Sequence, residues 1–157
     1  MLALRSLFFT IVVPGTVVVL LPYLILSRAG VGRPAGLLGF LGIVAMVAGA
    51  VILGWCIWDF AAKGRGTLAP MDPPRQLVVQ GLYRYVRNPM YLGVLVLLLG
   101  EAAFFRSRAL LEYAAVWFIL VNLVVLLYEE PSLRSRFGDS YDRYRRSVNR
   151  WLPNRRD

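Results

Sequence analysis

Two long uncharged runs constrain this chain more than any other feature. Leu7 to Leu26 and Ala35 to Trp58 contain no Asp, Glu, Lys or Arg. About twenty apolar residues, rising about 1.5 Å each, span a hydrocarbon core of about 30 Å, and inside lipid such a run satisfies its own backbone only as a helix. With 58% hydrophobic and 17% charged residues among 157, the chain is too apolar for a small water-soluble domain. The bilayer is the expected solvent. The first run exceeds a secretory signal core of roughly 7–15 residues and carries Pro14 and Pro22, so it reads as a retained, kinked helix. The second is rich in glycine and alanine, small residues that let membrane helices approach closely.

Two further apolar runs follow. Pro89 opens a helix at its first turn, where a missing N–H costs nothing, and Met90 to Phe105 is apolar except for Glu101. After the turn "FRSR", Ala109 to Tyr128 carries Glu112 and Asn122, and the pair reads as a helical hairpin. Between the second and third runs lies "DFAAKGRGTLAPMDPPRQLVVQGLYRYVRN". Gly64, Gly66, Pro70, Pro73 and Pro74 rule out a long helix there, and aromatic loops of this length are usually functional. Four spans put fourteen of the 18 Lys and Arg on one side, which predicts cytoplasmic N- and C-termini.

Composition removes several chemistries. One cysteine, Cys56, and no histidine leave nothing for a disulfide framework or an imidazole-ligated metal site; Cys56 reads as a small packing residue. The formal charge of +9 comes from arginines flanking the spans, a mark of orientation rather than of nucleic-acid binding. In the tail, Leu133, Phe137, Tyr141, Tyr144 and Val148 recur at helical spacing with arginines on the other face. Gly138 suits a C-cap, Asp139 an N-cap, and the segment predicts an amphipathic helix on the membrane interface.

Two polar clusters meet the same boundary. "GLYRYVRNPMYLG" enters the third span and "YEEP" leaves the fourth. Adjacent carboxylates at a helix C-terminus face the negative end of its dipole, so a cation belongs beside them: Arg84, Arg87 or Arg134, or the ammonium or sulfonium of a ligand. Arg87 has two readings, an ion pair with Glu130 or a contact to an anionic ligand group. Glu101, an intramembrane acid, either serves function or pairs with Arg106 or Arg108 near the span's end. Asn122 reads as interhelical glue.

The ordered block "GTLAPMDPPRQLVVQGLYRYVRNPMYLG", then a hairpin, then "EEPSLRSRFGDSYDRYRRSVNRWLP" resembles the isoprenylcysteine carboxyl methyltransferase and phospholipid methyltransferase type of membrane enzyme, most closely its short bacterial members. The resemblance implies one all-α polytopic membrane domain over 1–157, with about four transmembrane helices (about 7–26, 35–58, 90–105 and 109–128). It adds a cytosolic cofactor loop over 59–89 and an interfacial tail over 129–153. It implies S-adenosylmethionine as cofactor, bound by Arg75, Gln76, Leu77, Val78, Tyr83, Asn88, Pro89, Met90, Tyr91 and Glu129, with Arg87 and Glu130 at the substrate or behind these residues. The partners implied are membrane lipids and a lipophilic small-molecule or lipid acceptor, a thiol, carboxylate or amine; no nucleic acid and no metal are implied. The location implied is the bacterial inner membrane. The alternative is a non-catalytic scaffold or lipid-binding helper on the same fold. Asparagine stands at Asn88 where the better-known form has histidine, which keeps hydrogen bonding but removes acid–base capacity. Val125 stands where the isoprenylcysteine enzymes carry an arginine associated with a substrate carboxylate.

Overall fold

The computed structural model describes residues 12–32, 36–63, 77 and 79–153. These residues are mostly helical and contain no strand; Val86 and Asn149 form an isolated parallel bridge. Helix α1, Val12–Ala29, contains a π turn at Thr16–Leu20. Helix α2 is Gly36–Lys63, α3 Pro89–Phe104 and α4 Arg108–Val124. A second π turn, Val125–Glu129, carries α4 without a break into α5, Glu130–Phe137, and α6 is Asp139–Ser147.

Three of these helical stretches, Val12–Ala29, Gly36–Asp59 and Arg108–Phe137, are long and apolar enough to cross a membrane; Pro89–Phe104 is shorter. Their outward faces are apolar too. Phe40, Val47, Val51, Trp55 and Trp58 on α2, and Val116, Ile119, Leu120 and Leu127 on the stretch from α4 onward, are all exposed, a pattern that suits lipid and not water.

The closest packing joins α2 to α3, and glycine makes it possible. A Cβ placed on Gly49 would lie 2.6 Å from the Gly93 carbonyl oxygen, and one on Gly100 would lie 2.7 Å from the Met46 nitrogen. Gly42 and Gly93 meet the facing helix at similarly short range. Gly42 and Gly49 are seven residues apart, as are Gly93 and Gly100, so each pair lies on one helix face. The small residues of the second run thus form a seam of backbone-to-backbone contact. Around it, Val18, Leu53, Val94, Leu98 and Ala114 bring all four helices into one core, and Leu26, Ala102 and Leu110 form a second cluster. The Tyr113 hydroxyl donates to the Val17 carbonyl at 3.0 Å, within the π turn of α1.

The α3–α4 hairpin closes through Arg106, with φ 48°, and Ser107, whose hydroxyl caps the Leu110 N–H at 3.3 Å. The Gly32 N–H donates to the Phe105 carbonyl at 3.1 Å, docking the end of α1 on this turn. A cleft of about 430 Å³ opens there, lined by Ala29–Gly32 and Arg106–Ala109. It holds arginines and no acid.

Three sequence expectations change. The helix that begins at Arg108 does not stop at Tyr128, because the π turn absorbs the extra residue and the helix runs on to Phe137; Glu129 and Glu130 are therefore mid-helix and away from the negative end of its dipole. Gly138, with φ 48°, both ends α5 and caps α6, so Asp139 is a first-turn residue without a capping side-chain bond. The tail's apolar stripe is covered in part by the protein itself: Tyr141 and Val148 are buried, while Leu133, Phe137 and Tyr144 are half-buried.

The glycine seam gives a paired prediction. Gly49→Ala pushes a methyl group into the α3 backbone and should destabilise by about 1–3 kcal/mol. Gly54, on the same helix with nothing within 4 Å, should instead gain up to about 1 kcal/mol on Gly54→Ala from helix propensity. Thermal unfolding in detergent, with opposite shifts for the two variants, is the check.

Candidate functional site

The two motifs that the sequence sets 38 residues apart meet at one end of the bundle. Pro89 starts α3, with Asn88 as its N-cap, and the first turn points Tyr91 toward the α4–α5 junction. There the Tyr91 hydroxyl donates to Glu129 Oε1, and its ring meets Trp117 edge-on with centroids 6.3 Å apart. Among the described residues no cation pairs with Glu129. This end lies a full helix length from the cleft at the hairpin turn, since the sixteen residues of α3 rise about 24 Å.

Glu130 is treated differently. Neighbouring helix positions point about 100° apart, so the two carboxylates face different surroundings. Arg150 grips Glu130 through two parallel bonds, Nε to Oε1 at 2.7 Å and Nη2 to Oε2 at 3.0 Å. Arg87 Nη1 adds a third contact at 3.0 Å, with side chains only 10% and 12% exposed. The fork geometry is the strong form of this contact, and it holds the Arg150 guanidinium above its ordinary range. Arg87 also donates to the Tyr141 hydroxyl at 3.2 Å, while its Nε is buried with no partner among the described residues.

The segment after α6 completes the arrangement. The Arg87 N–H donates to the Asn149 carbonyl at 2.9 Å, and Asn88 Nδ2 lies 3.5 Å from the Arg150 carbonyl. Trp151 then turns back along α4: its indole N–H donates to Asn122 Oδ1 at 2.9 Å, and its ring lies 5.1 Å from Phe118. The short helix Gly81–Arg84 carries the buried Tyr83, whose carbonyl accepts from the Tyr144 hydroxyl at 2.7 Å. Burial raises Tyr83, Tyr141 and Tyr144 above the usual tyrosine range, so all three remain neutral hydroxyls at neutral pH. Gly81, with φ 58°, sits directly against the buried Asp59 carboxylate, where a Cβ would collide.

Of the residues expected at a cofactor site, Tyr91 and Glu129 touch, Arg87 and Glu130 touch, and Asn88 and Pro89 lie beside them. Tyr83 is buried nearby, Met90 packs on the core and Leu77 is half-buried. Arg75, Gln76 and Val78 lie outside the described residues. Val125 is buried at 1% exposure. Glu101 makes no ion pair with Arg108, which bonds Glu112 instead at 2.8 Å; Glu101 Oε2 is buried without a partner among the described residues. Arg150, Trp151 and Asp59 were not singled out from sequence. A tryptophan amid the charged tail was the available signal for the segment that returns.

Residues 37–140 match the phospholipid methyltransferase family. The chain belongs to that family. Among individual relatives, the protein-S-isoprenylcysteine O-methyltransferase of Schizosaccharomyces pombe is 35% identical over 79 residues, 49% of this chain and 33% of that protein. The methanethiol S-methyltransferase of Mycobacterium tuberculosis is 38% identical over 72 residues, 46% of this chain and 28% of that protein. An uncharacterized protein of Haemophilus influenzae is 33% identical over 63 residues, 40% of this chain and all of that protein. The chain thus spans a third or less of the two named methyltransferases. No solved structure matches it. The family and the apolar helices together indicate an integral membrane protein.

The unequal pairing of the two glutamates predicts unequal costs. Glu130→Ala strands two cations in a partly buried place and should destabilise by roughly 2–4 kcal/mol. Arg108→Ala removes an exposed pair, with side chains 91% and 63% accessible, and should cost at most about 0.5 kcal/mol. Denaturant or thermal unfolding of both variants is the measurement.

Proposed function

We propose that this chain is an S-adenosylmethionine-dependent methyltransferase acting on a small lipophilic or lipid-linked thiol, amine or carboxylate at the cytosolic face of a bacterial inner membrane. The reading assigns Pro89–Phe104 as a fourth span, short because its polar start opens onto the boundary, with both termini cytoplasmic by arginine bias. The observation that carries it is the pairing of Tyr91 with Glu129. Among the described residues, one of two adjacent carboxylates is neutralised by two arginines while the other meets a hydroxyl and no cation.

That donor set suits this cofactor. A carboxylate without a cation receives an ammonium or ribose hydroxyls, the faces of Tyr91 and Trp117 favour a cationic sulfur, and the unpartnered Arg87 Nε–H is one donor for a carboxylate. S-adenosylmethionine supplies an electrophilic methyl group on a sulfonium. The protein's part is to hold donor and acceptor in line and exclude water, which needs neither metal nor histidine. In this reading Glu129 anchors the polar end of the cofactor, Tyr91 orients Glu129, and Arg75, Gln76, Leu77 and Val78 belong to the cofactor site by the family pattern. Asn88 spends its amide on the Arg150 carbonyl and serves as a brace, not as an acid or base. With Val125 buried at the position where an arginine would meet an acceptor carboxylate, a thiol or amine is the favoured acceptor.

Titration calorimetry with S-adenosylhomocysteine tests the reading. The purified protein in detergent should bind saturably. Glu129→Gln and Tyr91→Ala should each weaken binding by about tenfold or more, the worth of one charge-assisted hydrogen bond, with helicity unchanged. A well-folded wild type that takes up no ligand would refute the enzyme and favour the scaffold.

A further inference from the structure

The segment after α6 makes contacts that a passive tail does not need. Over three residues it bridges to Val86 and Arg87 through Asn149, to Asn88 and Glu130 through Arg150, and to Phe118 and Asn122 through Trp151. Each of the two site motifs is therefore held by the same short strap. Its far anchor is Asn122, a polar side chain within a helix apolar enough to cross a membrane, where an unpaired amide is costly. The amide is satisfied twice: Nδ2 donates to the Phe118 carbonyl at 2.9 Å and Oδ1 accepts from Trp151. Its partner is the strap and not a neighbouring span.

We infer that Trp151 is a positioning residue for the cofactor site, latching the strap to Asn122 so that Arg150 stays on Glu130 and Glu129 stays with Tyr91. The latch acts at one remove. Arg87 and Arg150 share Glu130 Oε1, and Arg87 stands at the start of α3, four residues before Tyr91. With Arg150 withdrawn, Glu130 loses its bidentate partner, and Arg87 alone must balance two adjacent carboxylates. An arginine drawn toward Glu129 takes the place reserved for the ligand's cation. The Trp151 indole sets the depth of the strap, because its ring rests on Phe118 while its N–H reaches Asn122. The inference rests on the methyltransferase reading and adds Trp151, Asn122 and Arg150 to the residues that set affinity for the donor.

Calorimetry with S-adenosylhomocysteine on the full chain, well below its melting temperature, tests this. Trp151→Phe, which keeps a ring against Phe118 but loses the N–H, and Asn122→Leu should each weaken binding about fivefold, the worth of one neutral hydrogen bond. The double variant should be no weaker than the poorer single, since both remove one interaction. Asn122→Gln, which keeps a neutral accepting oxygen, should recover most of the affinity. Binding by the wild type with unchanged affinity in both single variants overturns the latch alone, as does a loss that adds in the double variant. A loss of affinity that only tracks a lower melting temperature marks a generic structural role and overturns it too. If the wild type itself does not bind, the methyltransferase reading falls and the latch with it.

Discussion

Everything in this molecule hangs on how closely the backbones of α2 and α3 approach. Gly42 and Gly49 on one helix face Gly93 and Gly100 on the other, and no side chain separates them. In lipid there is little hydrophobic gain from bringing helices together, so close van der Waals contact and interhelical bonds must supply the association. The seam fixes α3, and α3 fixes the site: its first turn presents Tyr91, and the residues just before it present Arg87 and Asn88. α4 packs against α3 in two clusters, through Ala114 in one and Leu110 in the other, which sets the height at which Glu129 meets Tyr91.

The second ordering principle is a division of charge. Two neighbouring carboxylates in a confined place repel, and the structure resolves the conflict by giving them opposite roles. Glu130 goes to Arg87 and Arg150 and becomes part of the frame. Glu129 meets a neutral hydroxyl and, among the described residues, no cation. The π turn at Val125–Glu129 lies at this point, and such turns often mark functional sites in helices. It lets Val125 point into the core while Glu129 points at α3.

The sequence made some of this legible and hid the rest for identifiable reasons. Uncharged runs announced the apolar helices because membrane helices are local in sequence, and glycine content announced close packing without naming the pairs that touch. The hairpin told that "RNPMY" and "YEEP" share one end, and Tyr91 does reach Glu129. What failed was anything decided by long-range partners. The π turn has no composition signature, so the helix looked finished at Tyr128. Tyr141 and Val148 read as part of a lipid-facing stripe because periodicity shows that a face is apolar, not what covers it. Asn122 asked for a partner, but nothing near it indicated Trp151. The loop residues Arg75, Gln76 and Val78 lie outside the described residues, and their assignment rests on the family pattern.

The strap also sets an order of events in biosynthesis. Residues 149–151 are made after every helix they fasten, so the contacts they supply are the last of the polar end to become available. Without those residues Glu130 lacks its bidentate partner Arg150 and the Asn122 amide lacks the Trp151 indole. The glycine seam, complete by residue 100, needs nothing from them, so the polar end of the molecule is a closure added to a scaffold that does not depend on it.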